Sequence, residues 1–433
     1  MKRLSFILVF VLLTALVVAA SAEEQYTFDP AETEKKPYHI GGYVEFKPIL
    51  FGPDHDAAFY KLRFYNAEQG NTLMEWDGKV QLEGSYEKGI FRLYAKTNTD
   101  LKSTYAGGSE QSLFYEAYGS MKPSSSLKTD VGKKAMKWGK GYAWSPMAFL
   151  DRPKDPDDPE LAQEGYIVTS ADYIKSFEGP LKTISFTPVL LPAYSHINDE
   201  SWQTDNLNVA GRLYLLLYDT DIDFVFLARG SKTDRFGVDF SRNVTTNFEI
   251  HGEFAYIRDN QKNVLDANGN SRQIKNDVQS YLFGVRHLTA FDLTTIIEYY
   301  HNGTGYSADE MKNYYAYINR GYNAYLTTGS AATLVNGQKM AETGFGRFSP
   351  MEDYLYVRLS QKEPFDILYV TPALTWMMNL NDGSYSLTPE LLYTGITNVE
   401  LRLRTGLIVG ARNMEFGEKQ NDYRIELRAG YYF

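Results

Sequence analysis

NDYRIELRAGYYF, residues 421–433, is the stretch that decides the fold. In an extended chain Tyr423, Ile425, Leu427, Ala429, Tyr431 and Phe433 share one face, while Arg424, Glu426, Arg428 and Gly430 share the other. Such alternation is the period-2 signature of a strand with one apolar and one polar side. Taken alone, it also describes an amphipathic edge strand of an ordinary sheet. The opposite end of the chain separates the two readings.

Lys2 and Arg3 precede an apolar run from Leu4 to Ala20, broken only by Ser5 and Thr14, and Ala20-Ser21-Ala22 closes it. A basic start, an apolar core and small closing residues describe a secretory signal peptide, residues 1–22, cleaved after Ala22. A membrane-anchoring helix is the rival, but the acidic pair Glu23-Glu24 directly behind the small residues favours cleavage. No later stretch approaches the ~20 apolar residues of a spanning helix. Removing 22 of the 433 residues leaves 411, expected to leave the cytoplasm without helical spans. Without them, a chain crosses a membrane only by closing as a barrel.

Composition agrees. With no cysteine, disulfides, a lipid-anchored N-terminal Cys, Cys-ligated zinc or iron–sulfur sites and CxxCH haem attachment are excluded, and no cofactor is expected. The 34 Tyr, 25 Phe and 34 Gly suit strands, interfacial aromatic belts and tight turns. Loss of Lys2 and Arg3 with the signal leaves 42 bases against 54 acids, a net of −12. That balance argues against nucleic acid or anionic lipid as partner. Mean hydropathy of −0.38 suits a barrel, where every second residue faces water.

Glu23 to Lys36 is charged and patternless and reads as a periplasmic leader; residues 37–433 show no domain boundary and no exact repeat. What recurs is an amphipathic strand of about 10 to 14 residues, the length of a tilted spanning strand. Val80 and Leu82 oppose Lys79, Gln81 and Glu83; Phe91, Leu93 and Ala95 oppose Arg92, Tyr94 and Lys96. Phe248, Ile250, Phe254 and Tyr256 oppose Glu249, His251 and Glu253; Leu401, Leu403, Leu407 and Val409 oppose Glu400, Arg402 and Arg404. Ala58 to Tyr65 is read the same way, with Tyr60, Leu62 and Phe64 against Lys61 and Arg63. The charged faces suit a wet lumen and would be costly in a dry core.

Short turns are expected near 87–89, 122–125, 178–180, 219–221, 242–244, 289–291, 362–364 and 398, and long loops near 100–110, 138–164, 193–204, 259–276, 303–350 and 412–420. Short turns on one rim and long loops on the other are the plan of a transmembrane barrel. Nineteen segments qualify as strands on this sequence. Single-chain bacterial barrels have an even number, so one segment within 38–75 or 303–350 is not a strand, and about 18 are expected, with 16 or 20 as the neighbouring counts.

The terminal Tyr431-Tyr432-Phe433 resembles the C-terminal signature of Gram-negative outer-membrane β-barrels. That resemblance implies an outer-membrane location, contact with outer-membrane lipid, and recognition of Phe433 by the barrel-assembly machinery. Residues 131–141, VGKKAMKWGKG, resemble the strand-end motif GxQxxxWGxG of porin-like barrels, including the alginate-export type, with Lys in place of the usual Gln. The likeness covers this strand, the following loop and the general plan. The fold class expected is therefore all-β: a transmembrane antiparallel up-and-down barrel.

Two loops stand out. Residues 138–164 end in DRPKDPDDPE, where Asp151, Asp155, Asp157, Asp158 and Glu160 with Arg152 and Lys154 would line a constriction if the loop folds inward. Pro153, Pro156 and Pro159 would hold its shape by locking φ. An external loop with solvated acids is the bland alternative. The Asp155-x-Asp157-Asp158 spacing offers oxygen ligands for Ca²⁺ but lacks the glycine and spaced bidentate Glu of an EF-hand, and no metal site is assigned. In 303–350, Ser307 and Glu310 ahead of Met311, Tyr314, Tyr315 and Ile318 read as an N-capped short helix.

None of the six histidines (His39, His55, His196, His251, His287, His301) sits in a GxSxG, HxxxH or HExxH context. His251, between Glu249 and Glu253, is the best acid/base candidate and a poor one, so no enzyme is expected. The leading expectation is a channel for small hydrophilic or ionic solutes. Arg63, Arg92, Arg212, Arg358, Arg402, Arg404, Arg424 and Arg428 would face Glu83, Glu249, Glu253, Asp292, Glu298, Glu400 and Glu426 across the lumen. A sheath around a multihaem cytochrome, or an acidic-polysaccharide exporter, are the alternatives. A homo-oligomer is compatible with the class, and no motif reports on it.

Overall fold

Alternation becomes strand along most of the chain. The computed structural model describes residues 36–104 and 107–433. The signal peptide and all of the leader but Lys36 lie outside the described residues. The strands are β1 (Tyr38–Pro53), β2 (Leu73–Lys88), β3 (Phe91–Thr104), β4 (Gly107–Ser124), β5 (Leu127–Lys134) and β6 (Tyr166–Ser176). They continue with β7 (Leu181–Ala193), β8 (Asn206–Leu217), β9 (Thr220–Leu227), β10 (Arg235–Thr245), β11 (Phe248–Leu265) and β12 (Ser271–Leu288). The last six are β13 (Leu293–His301), β14 (Asp353–Gln361), β15 (Val370–Asn379), β16 (Tyr385–Ile396), β17 (Val399–Val409) and β18 (Asn421–Tyr432).

Each strand pairs antiparallel with its neighbours in sequence, and β1 pairs with β18, closing one 18-stranded sheet into a cylinder. At the seam Val44 stands opposite Tyr431, Phe46 opposite Ala429 and Leu50 opposite Ile425. Gly42 and Phe433 exchange both backbone bonds, at 2.9 and 3.0 Å. Leu403 and Leu427, cross-strand partners, belong to an apolar outer face that runs round the cylinder. Among the described residues no helix is long and apolar enough to cross a membrane. The fold is a transmembrane up-and-down β-barrel.

The nineteenth candidate strand is a helix. Residues Ala58–Phe64 form α1, in the connection between β1 and β2. Its burial alternates because two opposite faces are covered. Ala58 and Leu62, one turn apart, join the large interior cluster, while Tyr60 and Phe64, also one turn apart, pack with Ala57 and Leu73. A helix buried on two sides imitates a period of two. Two expected long loops are instead extended hairpins: β3 and β4 pair as far as Thr104 and Gly107, and β11 and β12 as far as Leu265 and Ser271. The turn expected at 242–244 lies between Thr245 and Phe248.

The connection from β13 to β14 carries two more helices, α2 (Ala308–Thr328) and α3 (Ala332–Met340). Ser307 and Glu310 cap α2 reciprocally, as expected, although α2 is 21 residues long rather than short. Met311, Tyr314, Tyr315 and Ile318 are its buried face. They pack with Leu334, Phe345, Tyr354, Tyr356 and Met377 into one interior core.

A second core lies against the inner wall of β6–β11. Val168, Val189, Leu191, Ala210, Val225, Leu227 and Ala255 point inward there and are buried. The inner face is therefore not charged throughout, a correction to the sequence reading. An apolar inner wall is stable only because something dry packs on it.

The outward Leu403 tests the placement in lipid. Leu403→Arg should lower stability by about 2–4 kcal/mol, the cost of a cation near the bilayer midplane. Denaturant unfolding of the barrel refolded into vesicles measures it, and an unchanged midpoint would contradict a lipid-facing Leu403.

Candidate functional site

The connection between β5 and β6, residues 135–165, covers the second core. Trp138, Met147, Phe149 and Leu150 of this loop are buried on the apolar wall together with Trp202. Its entry turn needs glycine. Gly139 has φ +103°, and a Cβ there would lie 1.8 Å from the Ser145 hydroxyl and 2.8 Å from a Glu253 carboxylate oxygen. The Trp138-Gly139 pair of the motif is thus an apolar anchor followed by a close approach that excludes a side chain.

Two carboxylates from the wall hold the loop. Glu253 of β11 accepts from the amides of Lys140 and Gly141, both at 2.6 Å, from Ser145 Oγ at 3.0 Å and from the Met147 amide at 3.3 Å. Glu298 of β13 is fully buried and accepts from the amides of Tyr142 and Ala143 and from His251 Nε2 at 2.9 Å. His251, the best acid/base candidate, therefore abuts a carboxylate already committed to loop amides. Asp151 bonds the amides of Lys137 and Trp138 at 2.8 and 3.0 Å, closing the base of the loop on itself.

The far end of the loop reaches the opposite wall. Asp158 lies 2.8 Å from Arg428 Nη2 and 3.9 Å from Arg404 Nη1, and the Asp157 carbonyl accepts from Arg404. Burial alone would raise the Asp158 carboxyl, but Arg428, Arg404 and Arg402 outweigh it and hold it below the ordinary carboxylate range. Asp155 is half-buried. Burial first, then the charge of Asp157, pushes its carboxyl up to about 6 against a bond from the Asp157 amide. Lys154 donates to the carbonyls of Gly141 and Tyr142, and Glu160 accepts from Tyr142 Oη at 3.0 Å.

Beneath this contact the wall of β14–β18 is a chain of paired charges. Glu390 gathers Arg358 at 3.1 Å, Arg404 at 3.2 Å and Arg402 at 3.6 Å. Arg402 also meets Glu400 at 3.0 Å, and Glu426 meets Arg428 at 2.8 Å, Arg404 at 3.8 Å and Arg424 at 3.9 Å. Opposite charges are thus neighbours along one strand or on nearby strands of one wall rather than facing rows. Glu390 was missed by the sequence reading, although its alternation with Leu391 would have pointed to it.

Elsewhere the candidates stand apart. Arg212 meets Asp223 at 3.7 Å and covers the Trp138 ring. Glu83 pairs with Lys96 at 3.4 Å, and Arg92 with Glu87 at 3.3 Å. Asp292 lies in the turn before β13 with φ +59°. Arg63 is on no strand: it lies in α1 and donates to Gln420 at 2.9 Å. Among the described residues no three His, Asp or Glu side chains converge as a metal site.

Two cavities flank the loop. One, of about 1230 Å³, lies toward the long-loop rim between the two cores, lined by Trp138 and Phe149 on one side and Trp144 and Tyr300 on the other. The other, of about 270 Å³, lies toward the short-turn rim and is lined by Tyr142, Arg286 and Arg358. Glu160 lines both.

No family model matches this chain, and no curated protein matches it. Among solved structures, OccK5 (OpdH) of Pseudomonas aeruginosa is similar, with a TM-score of 0.51 at 12% identity over 91% of this chain and 98% of that one. A triple mutant of the Rhodopseudomonas blastica porin gives a TM-score of 0.44 at 10% identity over 92% of this chain and 100% of that one. The first likeness is one of fold: the cylinder is porin-like.

The Glu253 clamp is open to test. Glu253→Gln turns one acceptor into a donor aimed at loop amides, which should cost about 1–3 kcal/mol locally. Amide exchange at Gly141 and Met147 should speed up while the strands stay protected. Unchanged protection would show that the carboxylate does not hold the loop.

Proposed function

We propose that this chain is an outer-membrane channel of a Gram-negative bacterium, through which small hydrophilic or ionic solutes diffuse past a constriction formed by residues 135–165. The observation that carries the reading is the span of that loop. It is bonded to β11 and β13 by Glu253 and Glu298 and to β17 and β18 through Asp157 and Asp158, with a cavity on each side. A loop held at both ends narrows a cylinder without sealing it. Charged side chains at the narrowing set ion preference. Glu160, which lines both cavities, and Tyr142, bonded to it, are the residues assigned to the narrowest point. The porin-like fold supports the same reading at a coarser level.

The sheath for a multihaem cytochrome fits less well, because two packed cores occupy the interior that a partner would need. No observation favours the polysaccharide exporter over a channel for small solutes.

In planar bilayers the folded chain should give discrete conductance steps. Removing residues 153–162 should raise the unit conductance by about twofold or more, since those residues carry the contacts that hold the loop across the lumen. A purified folded barrel that shows no steps would refute the proposal.

Ion preference should also follow pH through Asp155. The groups acting on it are Asp157, Asp158 and Arg424. With its carboxyl near 6, Asp155 is charged above that pH and neutral below it. Acidification from about pH 7.5 to about pH 5 then removes a negative charge from the narrowing and moves the reversal potential toward anions. Asp155→Asn should reduce that shift, leaving the part that comes from protonation of Lys232, whose ammonium is pushed down to about 7; an equal shift in the variant would assign it elsewhere.

A further inference from the structure

The larger cavity carries an unusual balance of charge. Seven of its lining side chains are Lys or Arg, against two carboxylates, Asp151 and Glu160. Both carboxylates are already committed, Asp151 to the amides of Lys137 and Trp138 and Glu160 to Tyr142 Oη. Three of the cations are answered within the protein. Lys96 pairs with Glu83, Arg152 with Glu164, and Lys154 donates to two backbone carbonyls. Lys137, Lys232, Arg235 and Arg347 form no ion pair among the described residues; Arg347 donates to the Thr343 carbonyl at 3.2 Å, and the buried Nε of Arg235 has no hydrogen-bond acceptor.

What holds Lys232, Arg235 and Arg152 is aromatic surface. Lys232 Nζ lies 3.7 Å from the centre of the Trp202 ring, Arg235 lies 5.9 Å from Phe149, and Arg152 lies 5.2 Å from Tyr166. Tyr166 and Trp202 themselves meet edge to face, with centroids 5.6 Å apart. A ring face orients a cation without neutralising it, whereas a carboxylate would do both. Burial first, then Arg235 and Arg152, pushes the Lys232 ammonium down to about 7. Arg152 is answered by Glu164, but no carboxylate pairs with Lys232 or Arg235, and the space in front of them has room for a solute.

We propose that the aromatic-backed Lys232, Arg235 and Arg152, with Arg347 across the same cavity, form a binding site for a small oxyanion carrying two or more negative charges. The site rests on the channel reading and names its solute class: the anion is held in the vestibule before the narrowing at Glu160. Guanidinium groups suit planar or tetrahedral oxyanions by paired N–H bonds, and the ammonium adds a point charge. Phosphates and dicarboxylates share this chemistry.

Titration of the full folded chain in detergent tests it, with inorganic phosphate, succinate and acetate as separate probes. Heat release and the fluorescence of Trp202 beside Lys232 are the readouts. Phosphate or succinate should bind saturably, acetate at least about tenfold more weakly, and the pair K232Q with R235Q should weaken binding by about tenfold or more. Saturation by phosphate alone, or by succinate alone, supports the site and identifies the source of the anion. R347Q, on an exposed loop residue, supplies a second variant that does not disturb the wall, and it should weaken binding in the same direction. No saturable binding by phosphate or succinate overturns the proposal. So does binding that both variants leave unchanged. Conductance steps in plain potassium chloride are recorded alongside: steps without anion binding sink this site alone, and absence of steps sinks the channel.

Discussion

In lipid, a backbone amide or carbonyl without a partner has no water to turn to, and that constraint governs this molecule. An open sheet of eighteen strands would present two unbonded edges to hydrocarbon. The pairing of β1 with β18 removes both. Everything inside follows from closure. Once the ladder is a ring, one face of each strand looks at lipid and the other at a shared interior. The interior then has to be furnished by the connections on one rim, because on the other rim they are short turns.

The furnishing is unequal. On β14–β18 the inner face is a lattice of arginines and carboxylates that bond one another along and between strands. On β6–β11 it is apolar near the long-loop rim and takes the anchors Trp138, Met147, Phe149 and Leu150. The loop between β5 and β6 joins the two halves. It is greasy where it leaves β5, acidic where it arrives at Arg404 and Arg428, and in between its amides are held by two wall carboxylates. Glu253 and Glu298 do here what the N-terminal turn of a helix does for an anion, with the roles reversed: the wall brings the charge and the loop brings the donors.

Some of this was legible in the chain and some was not. Strand alternation was readable wherever one face met lipid, as in 401–409 and 421–433, because lipid imposes a single rule on that face. Ala58–Phe64 obeyed the same pattern for a different reason, two opposite helical faces each covered by its own cluster. Arg63 was therefore placed on a wall it does not belong to. The motif around Trp138-Gly139 marked a strand end, and Ser307 with Glu310 announced a helix start, since both signals depend on residues close in sequence. The roles of Glu253 and Glu298 were not readable, because their partners lie more than a hundred residues away.

By itself, then, the sequence determined the class of the object. Period-2 faces, aromatic residues, tight turns on one side and long connections on the other are local properties that a cylinder in lipid requires of every strand. Tertiary structure decided which acids and bases became partners, where the inner wall turned apolar, and which cations were left on aromatic rings without a counter-charge. The physical reason is distance: a strand's outer face answers to a uniform solvent, while its inner face answers to whichever distant loop closure brings against it.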